Sequence, residues 1–217
     1  MKYLVLILVS LASGQIYGQQ QQAFTIVFLN KNPDAAQLSK TESDRIMAGH
    51  SEKRELLAKE GKLLAAGPFD GGGGLYIMKT TSIDEARSWI ASDPGILEKR
   101  WIVEILPYRP RVGGICPVGE NYSMTDYVFV RYDAVVSKST AQNYPDILRQ
   151  HDEFLKKIVA TGNVITEAIF SDRDGGILIM KGELHRELIE SDPAVQQGLM
   201  EFQIKKFYTA KGAFCEQ

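Results

Sequence analysis

His50 … Gly61-Lys62-Leu63-Leu64 … Gly73-Gly74-Leu75-Tyr76-Ile77-Met78-Lys79 … Ser92-Asp93-Pro94 is answered further along the chain by His151 … Gly162-Asn163-Val164-Ile165 … Gly175-Gly176-Ile177-Leu178-Ile179-Met180-Lys181 … Ser191-Asp192-Pro193. The two histidines lie 101 positions apart, Gly61 and Gly162 also 101, Gly73 and Gly175 102, and Asp93 and Asp192 99. Four landmarks in one order at nearly constant separation mark an internal repeat, and each unit has the size of a small domain.

Periodicity gives the elements of each unit. Residues 24–29 are apolar and β-branched, a buried strand with its counterpart at 127–132. A helix is predicted over 43–60, ended by Gly61, and a second over 145–161, with Pro145 in its first turn and Gly162 as its stop. Second strands fall at 63–66 and 164–170, and third strands at 75–80 and 177–181. Residues 82–91 form a short helix capped by Ser82 with Glu85 three residues on, with a weaker twin at 183–190. Fourth strands close the units at 101–106 and 202–207. The order β-α-β-β-α-β, twice, is the ferredoxin-like split unit of an α+β protein, and it leaves one apolar sheet face uncovered in each unit. Two tandem copies cover each other sheet to sheet, as a pseudo-dimer within one chain. The expected organisation is a leader at 1–18, a first domain at 23–108, a linker at 109–123 containing Pro110, Pro117, Gly113, Gly114 and Gly119, a second domain at 124–210 and a tail at 211–217.

Length and composition agree with this. The 217 residues are 44% hydrophobic and 24% charged, which excludes a disordered chain, a coiled coil and a polytopic membrane protein. A net charge of -2 argues against a basic face for nucleic acid. Met1-Lys2, a short apolar run over 3–12 and small or polar residues to Gly18 have the layout of a secretory signal peptide, with cleavage after Gly14 or Gly18. The run is too short to span a bilayer; an uncleaved anchor or a buried strand is the alternative reading. The expected location is periplasmic or secreted, with no membrane association once the leader is removed. The only cysteines, Cys116 and Cys215, each follow the fourth-strand residues Ile105 and Ile204 by 11 positions. Equivalent positions on symmetric tails are candidates for a disulfide near the pseudo-twofold axis, which export permits; two unpaired tail cysteines are the alternative.

Few residues can carry chemistry. At ~100° per residue His50 shares a helix face with Ile46, Met47, Arg54 and Leu57, and His151 with Ile147, Leu148, Phe154, Leu155 and Ile158. Both rings are expected to point toward the sheet, as packed core histidines or as a site. Asp93-Pro94 and Asp192-Pro193 read as helix starts, aspartate at the N-cap and proline after it. If an aspartate also meets the inward histidine, it fixes the tautomer and raises the basicity of the ring. The glycines at 71–74 lack the spacing of a phosphate loop and lead into a strand, so they read as a hairpin turn. His185 has no counterpart in the first unit and reads as a surface residue. No HExxH, CxxC or GxSxG pattern occurs, so no metal or cofactor is called for by the sequence.

The run from His50 through Gly61-Lys62-Leu63-Leu64-Ala65-Ala66-Gly67-Pro68, Gly73-Gly74-Leu75, Ala86, Trp89 and Ser92-Asp93-Pro94 to Val103-Glu104-Ile105-Leu106-Pro107-Tyr108 resembles the YciI-like (YCII-related) family. The resemblance is closer over 24–108 than over 127–208. It implies dimeric α/β barrels of ferredoxin-like subunits, here fused, and a pocket between helix and sheet with a His-Asp pair as acid–base centre. Carried over, the catalytic candidates are His50 with Asp93 and His151 with Asp192, and Gly67 and Pro68 are the substrate-binding candidates that shape the pocket wall. The second unit departs there, with Ala168 and Ile169, so the better-formed site is expected in the first unit. Two functions follow. One is a cofactor-independent enzyme moving a proton on an unidentified small molecule, as a lyase, isomerase or hydrolase. The other is a periplasmic ligand-binding or interaction module without turnover. In either case the chain acts as a monomeric pseudo-dimer or a higher homo-oligomer of pseudo-dimers.

Overall fold

β1 (Phe24–Lys31) has both faces buried, and its residues divide between two cores: Ile26 and Phe28 point to one, Val27 and Leu29 to the other. This alternation organises the whole molecule. The computed structural model describes residues 23–119, 121–135, 137, 143–172 and 174–215. The leader read at 1–18, with its cleavage points, lies outside the described residues. Among the described residues no helix is long and apolar enough to cross a membrane.

The first unit continues with α1 (Lys40–Lys59), β2 (Leu63–Pro68), β3 (Gly74–Met78), α2 (Ile83–Ile90), α3 (Pro94–Leu97) and β4 (Trp101–Val112). The second repeats the order with β5 (Met124–Ala134), α4 (Tyr144–Val159), β6 (Val164–Ile169), β7 (Gly175–Met180), α5 (Arg186–Glu190), α6 (Pro193–Gln196) and β8 (Met200–Ala210). All strand pairs are antiparallel, in the order β2-β3-β1-β4-β6-β7-β5-β8. The sheet then closes on itself. Phe69 bridges Phe207, the Asp70 N–H donates to the Lys206 carbonyl at 3.1 Å, and the Thr209 hydroxyl donates to the Ala66 carbonyl at 2.8 Å. These contacts set the edges of β2 and β8 against each other, which limits the pairing liability an open sheet carries.

The barrel interior is one apolar cluster shared by both units, with Phe28, Phe69, Phe129, Phe170 and Phe207 among its members. Two further clusters lie outside the barrel wall. One sits under α1 and α2 around Val27, Leu57 and Ile90; the other sits under α4 around Tyr132, Leu155 and Ile158. This is the α+β barrel of two ferredoxin-like units that the repeat implies.

Four local expectations need correction. β4 runs on through Pro107 and Pro110 to Val112, because the strand passes from pairing with β1 to pairing with β6; the connection therefore starts later than the linker read at 109–123. α1 starts at Lys40, not residue 43, because Ser39 and Glu42 form a full capping box. α5 is shorter than the helix read at 183–190. Met47, read as inward, is exposed, while Ile46 and Leu57 are buried as expected.

Cys116 and Cys215 form a disulfide, with Cα atoms 5.2 Å apart. The strap it closes is a small ladder. The Cys116 N–H donates to the Ala213 carbonyl, the Cys215 N–H donates to the Gly114 carbonyl, and Ile115 bridges Phe214. Phe214 packs edge-on against Tyr127 and Phe207, so the strap plugs the barrel interior.

Candidate functional site

Each long helix delivers one histidine to the aspartate that starts the short helix of its own unit. His50 Nδ1 lies 2.7 Å from Asp93 Oδ2, and His151 Nδ1 lies 2.6 Å from Asp192 Oδ2. Each aspartate performs both jobs read from sequence. Its other oxygen accepts the cap hydrogen bond, from the Gly95 N–H in one unit and the Ala194 N–H in the other, both at 2.8 Å. Asp93 and Asp192 are almost fully buried, at 1% and 0% exposure. A buried carboxylate needs hydrogen-bond partners, and here the ring serves one oxygen and the cap the other. In the neutral ring, an Asp accepting at Nδ1 makes that nitrogen the N–H and leaves the lone pair on Nε2.

The two rings are about equally enclosed, at 8% and 7% exposure, but differ in what stands at Nε2. In the first unit the Tyr76 hydroxyl lies 3.2 Å from His50 Nε2, and the Trp101 ring packs on the imidazole with centroids 4.5 Å apart. Burial, reinforced by the charge of Asp93, holds the Tyr76 phenol far above its ordinary range, so it keeps its proton and donates it. The first site is thus occupied by its own side chains.

In the second unit both occupants are replaced. By the register of the third strands, Tyr76 corresponds to Leu178, since Gly74 pairs Leu29 and Gly176 pairs Tyr132 in equivalent places. Trp101 and Met200 both open the fourth strands. The exchange is coupled to a glycine. A Cβ on Gly95 would sit 1.9 Å from the Trp101 ring, so only glycine lets that indole lie down. The equivalent residue is Ala194, whose own Cβ excludes such a ring, and Met200 lies there instead. A cavity of about 680 Å³ results, lined by His151, Leu148, Leu155, Leu178 and Met200 among others. That volume is in the range that takes a small-molecule ligand. Tyr132, at the place of Leu29 in the first unit, stands edge-on to His151 with centroids 5.0 Å apart. Burial and the charge of Asp192 likewise keep its phenol protonated.

The far wall of this cavity comes from the first unit. Arg111, on the extension of β4, makes a two-pronged pair with the buried Glu167 through Nε and Nη2 at 2.7–3.0 Å, and donates through Nη1 to Asp152 at 2.8 Å. Burial opposes its charge, but Glu167 and Asp152 outweigh that and hold the guanidinium charged. Arg149, on the cavity rim, is paired with Glu153.

The expectation that Gly67 and Pro68 open the first site is overturned. A Cβ on Gly67 would lie 2.0 Å from the Tyr208 carbonyl oxygen, so Gly67 serves the close approach of β2 and β8 where the barrel shuts. Pro68 is exposed and pairs Gly74 in the sheet. Ala168 and Ile169, read as filling the second site, line its cavity. His185 is exposed, at the N-terminus of α5. The glycines at 71–74 form the hairpin turn between β2 and β3, with Gly71, Gly72 and Gly73 at positive φ. Sequence reasoning missed Tyr76, Trp101, Tyr132, Arg111 and Glu167. Setting the two units residue against residue, with Tyr76 over Leu178 and Gly95 and Trp101 over Ala194 and Met200, carries the signal that would have found the first two. Among the described residues no group of three or more His, Cys, Asp or Glu is placed to hold a metal ion.

Fold and site together define a closed α/β barrel with one buried His-Asp pair per half. A YCII-related domain spans residues 23–108. No curated protein matches the sequence. Among solved structures the chain is similar to a chlorite dismutase variant from Candidatus Nitrospira defluvii, at 11% identity and a TM-score of 0.49, covering 87% of this chain and 92% of that one. It is also similar to a candidate monooxygenase from Fusobacterium nucleatum, at 10% identity and a TM-score of 0.46, covering 90% and 97%. A third is an anthrone oxidase-like protein, at 9% identity and a TM-score of 0.45, covering 86% and 90%.

Proposed function

We propose that the chain is an exported, tandem YCII-related protein whose second unit is a diverged copy of the first, and that it acts on a small molecule by proton transfer at His151 and Asp192. The observation that carries this reading is the His151–Asp192 hydrogen bond of 2.6 Å at the wall of a cavity of about 680 Å³. Asp192 fixes the ring with its lone pair on Nε2, and Nε2 takes a proton from the ligand and returns it, as a general base and then acid. Buried in an apolar wall and held by a carboxylate, the ring pays no reorientation during the transfer. The reaction class is that of a lyase, an isomerase or a hydrolase, and no cofactor is required for it. His50 and Asp93 then keep only the structural half of the arrangement, tying α1 to the cap of α3.

Export is supported by the composition of residues 1–18 and by the Cys116–Cys215 disulfide, which persists in oxidising compartments. The chain then works in the periplasm or outside the cell as a self-contained pseudo-dimer. A second reading, a ligand-binding module without turnover, draws on the first unit, where the same His-Asp geometry exists with its site filled by Tyr76 and Trp101. The pair is therefore compatible with a purely structural job.

A thermal-shift screen of small molecules on the wild type, His151→Gln and His50→Gln tests the site. Ligand-induced shifts are expected to vanish in His151→Gln and to persist in His50→Gln. Shifts that survive His151→Gln and vanish in His50→Gln contradict the assignment. Hits assayed for turnover separate the enzyme from the binding module.

A further inference from the structure

The first unit displays what its histidine is built to bind. His50 Nε2 meets a phenolic hydroxyl, that of Tyr76, at 3.2 Å, with the two rings nearly parallel at 14°. In the second unit the same nitrogen, on a ring fixed in the same way by Asp192, is capped by no side chain among the described residues, and Leu178 stands where the tyrosine would be. The space left by Tyr76 and Trp101 is part of the cavity. Resting on the reading of His151 as the working centre, we propose that the ligand of the second unit is an uncharged, hydroxylated planar ring whose O–H donates to His151 Nε2, replacing in trans the phenol that the first unit supplies from its own chain.

Charge points the same way. Arg111 and Arg149 already hold carboxylates of the protein, and Asp174 accepts from the Tyr144 hydroxyl at 2.6 Å. Arg109 lines the cavity as well, but the lining sets Asp152, Glu167, Asp172 and Asp174 against three arginines, so it does not favour an anion, and a neutral ligand disturbs none of these ion pairs. Leu148, Leu155, Leu178 and Met200 provide an apolar wall for a ring. When the proton moves, the ligand O–H bond breaks, its electron pair stays on the oxygen, and the proton joins Nε2. The imidazolium so formed is balanced by Asp192, and the new oxyanion sits beside it.

Three probes of one shape test the class: para-cresol, its methyl ether para-methylanisole, and para-toluate, each titrated into the full chain near neutral pH, where the phenol is neutral and the carboxylate charged. Affinity is read by calorimetry, and the ring nitrogens of His151 by NMR. The phenol is expected to bind about tenfold tighter than the ether or the carboxylate, the difference of one hydrogen bond, and to move the Nε2 resonance alone. Leu178→Tyr, which rebuilds the first unit's occupant, is expected to lose phenol binding about tenfold while remaining folded, and Leu178→Met to retain it. If the three probes bind alike, or the carboxylate binds best, the ligand class is wrong while His151 remains a binding centre. If none of them moves a His151 resonance, the ligand class falls and so does the reading of the second unit as the working site.

Discussion

Phe129→Ala is expected to destabilise the whole chain by about 3–5 kcal/mol, the usual cost of emptying a buried aromatic site. Phe129 is 1% exposed and meets Phe69 at 4.7 Å, Phe28 at 6.2 Å and Phe207 at 6.5 Å between ring centroids. Those partners come from both units. The cavity therefore opens in the joint core, and both halves should lose stability in one transition. Urea unfolding followed by fluorescence and by circular dichroism measures this. Coincident curves shifted to a lower midpoint are expected; a loss confined to one of two separated transitions contradicts a shared core.

Removing the disulfide is the second large effect. Cys116 and Cys215 close a loop of 99 residues, and the chain-entropy model gives about 4–5 kcal/mol for a loop of that size. The bond also holds Ile115 and Phe214 over the end of the barrel, so its loss frees the plug as well as the unfolded chain. The Cys116→Ser, Cys215→Ser double variant should unfold at a clearly lower urea concentration than the oxidised wild type, and close to where the reduced wild type unfolds. Equal midpoints for oxidised and reduced protein contradict the strap, as do two free thiols in the denatured, unreduced chain.

The architecture was legible because it is written twice. The repeat of His, Gly-Gly-strand and Ser-Asp-Pro gives element order, the need for a second sheet and the equivalence of the two cysteines. The His-Asp contacts were legible only in part: an N-cap aspartate and an inward histidine recur together, but their pairing came from the resemblance to the YCII-related family and not from spacing. What the sequence hid depends on residues brought from separate strands. Whether a histidine faces a cavity or a phenol is decided by Tyr76 on β3 and Trp101 on β4, with Gly95 making room for the indole. None of the three is near His50 in the chain. Gly67 has the same character. Its lack of bulk looks like a pocket from within its own unit, but β8 of the other unit fills the space. The extension of β4 was masked by Pro110, which reads as part of a linker until the pairing with β6 is seen. Arg111 arrives at the second site only through that extension.

The central claim is that two equally enclosed histidines differ at one nitrogen: Nε2 is engaged in the first unit and available in the second. Mild acylation with diethyl pyrocarbonate, which needs the free lone pair of a ring nitrogen, followed by peptide mass spectrometry, reads that difference directly. The exposed His185 serves as the internal standard. Modification of His185 and His151 with protection of His50 is the result the structure predicts. Modification of His50 as fast as His151, or protection of both, contradicts it.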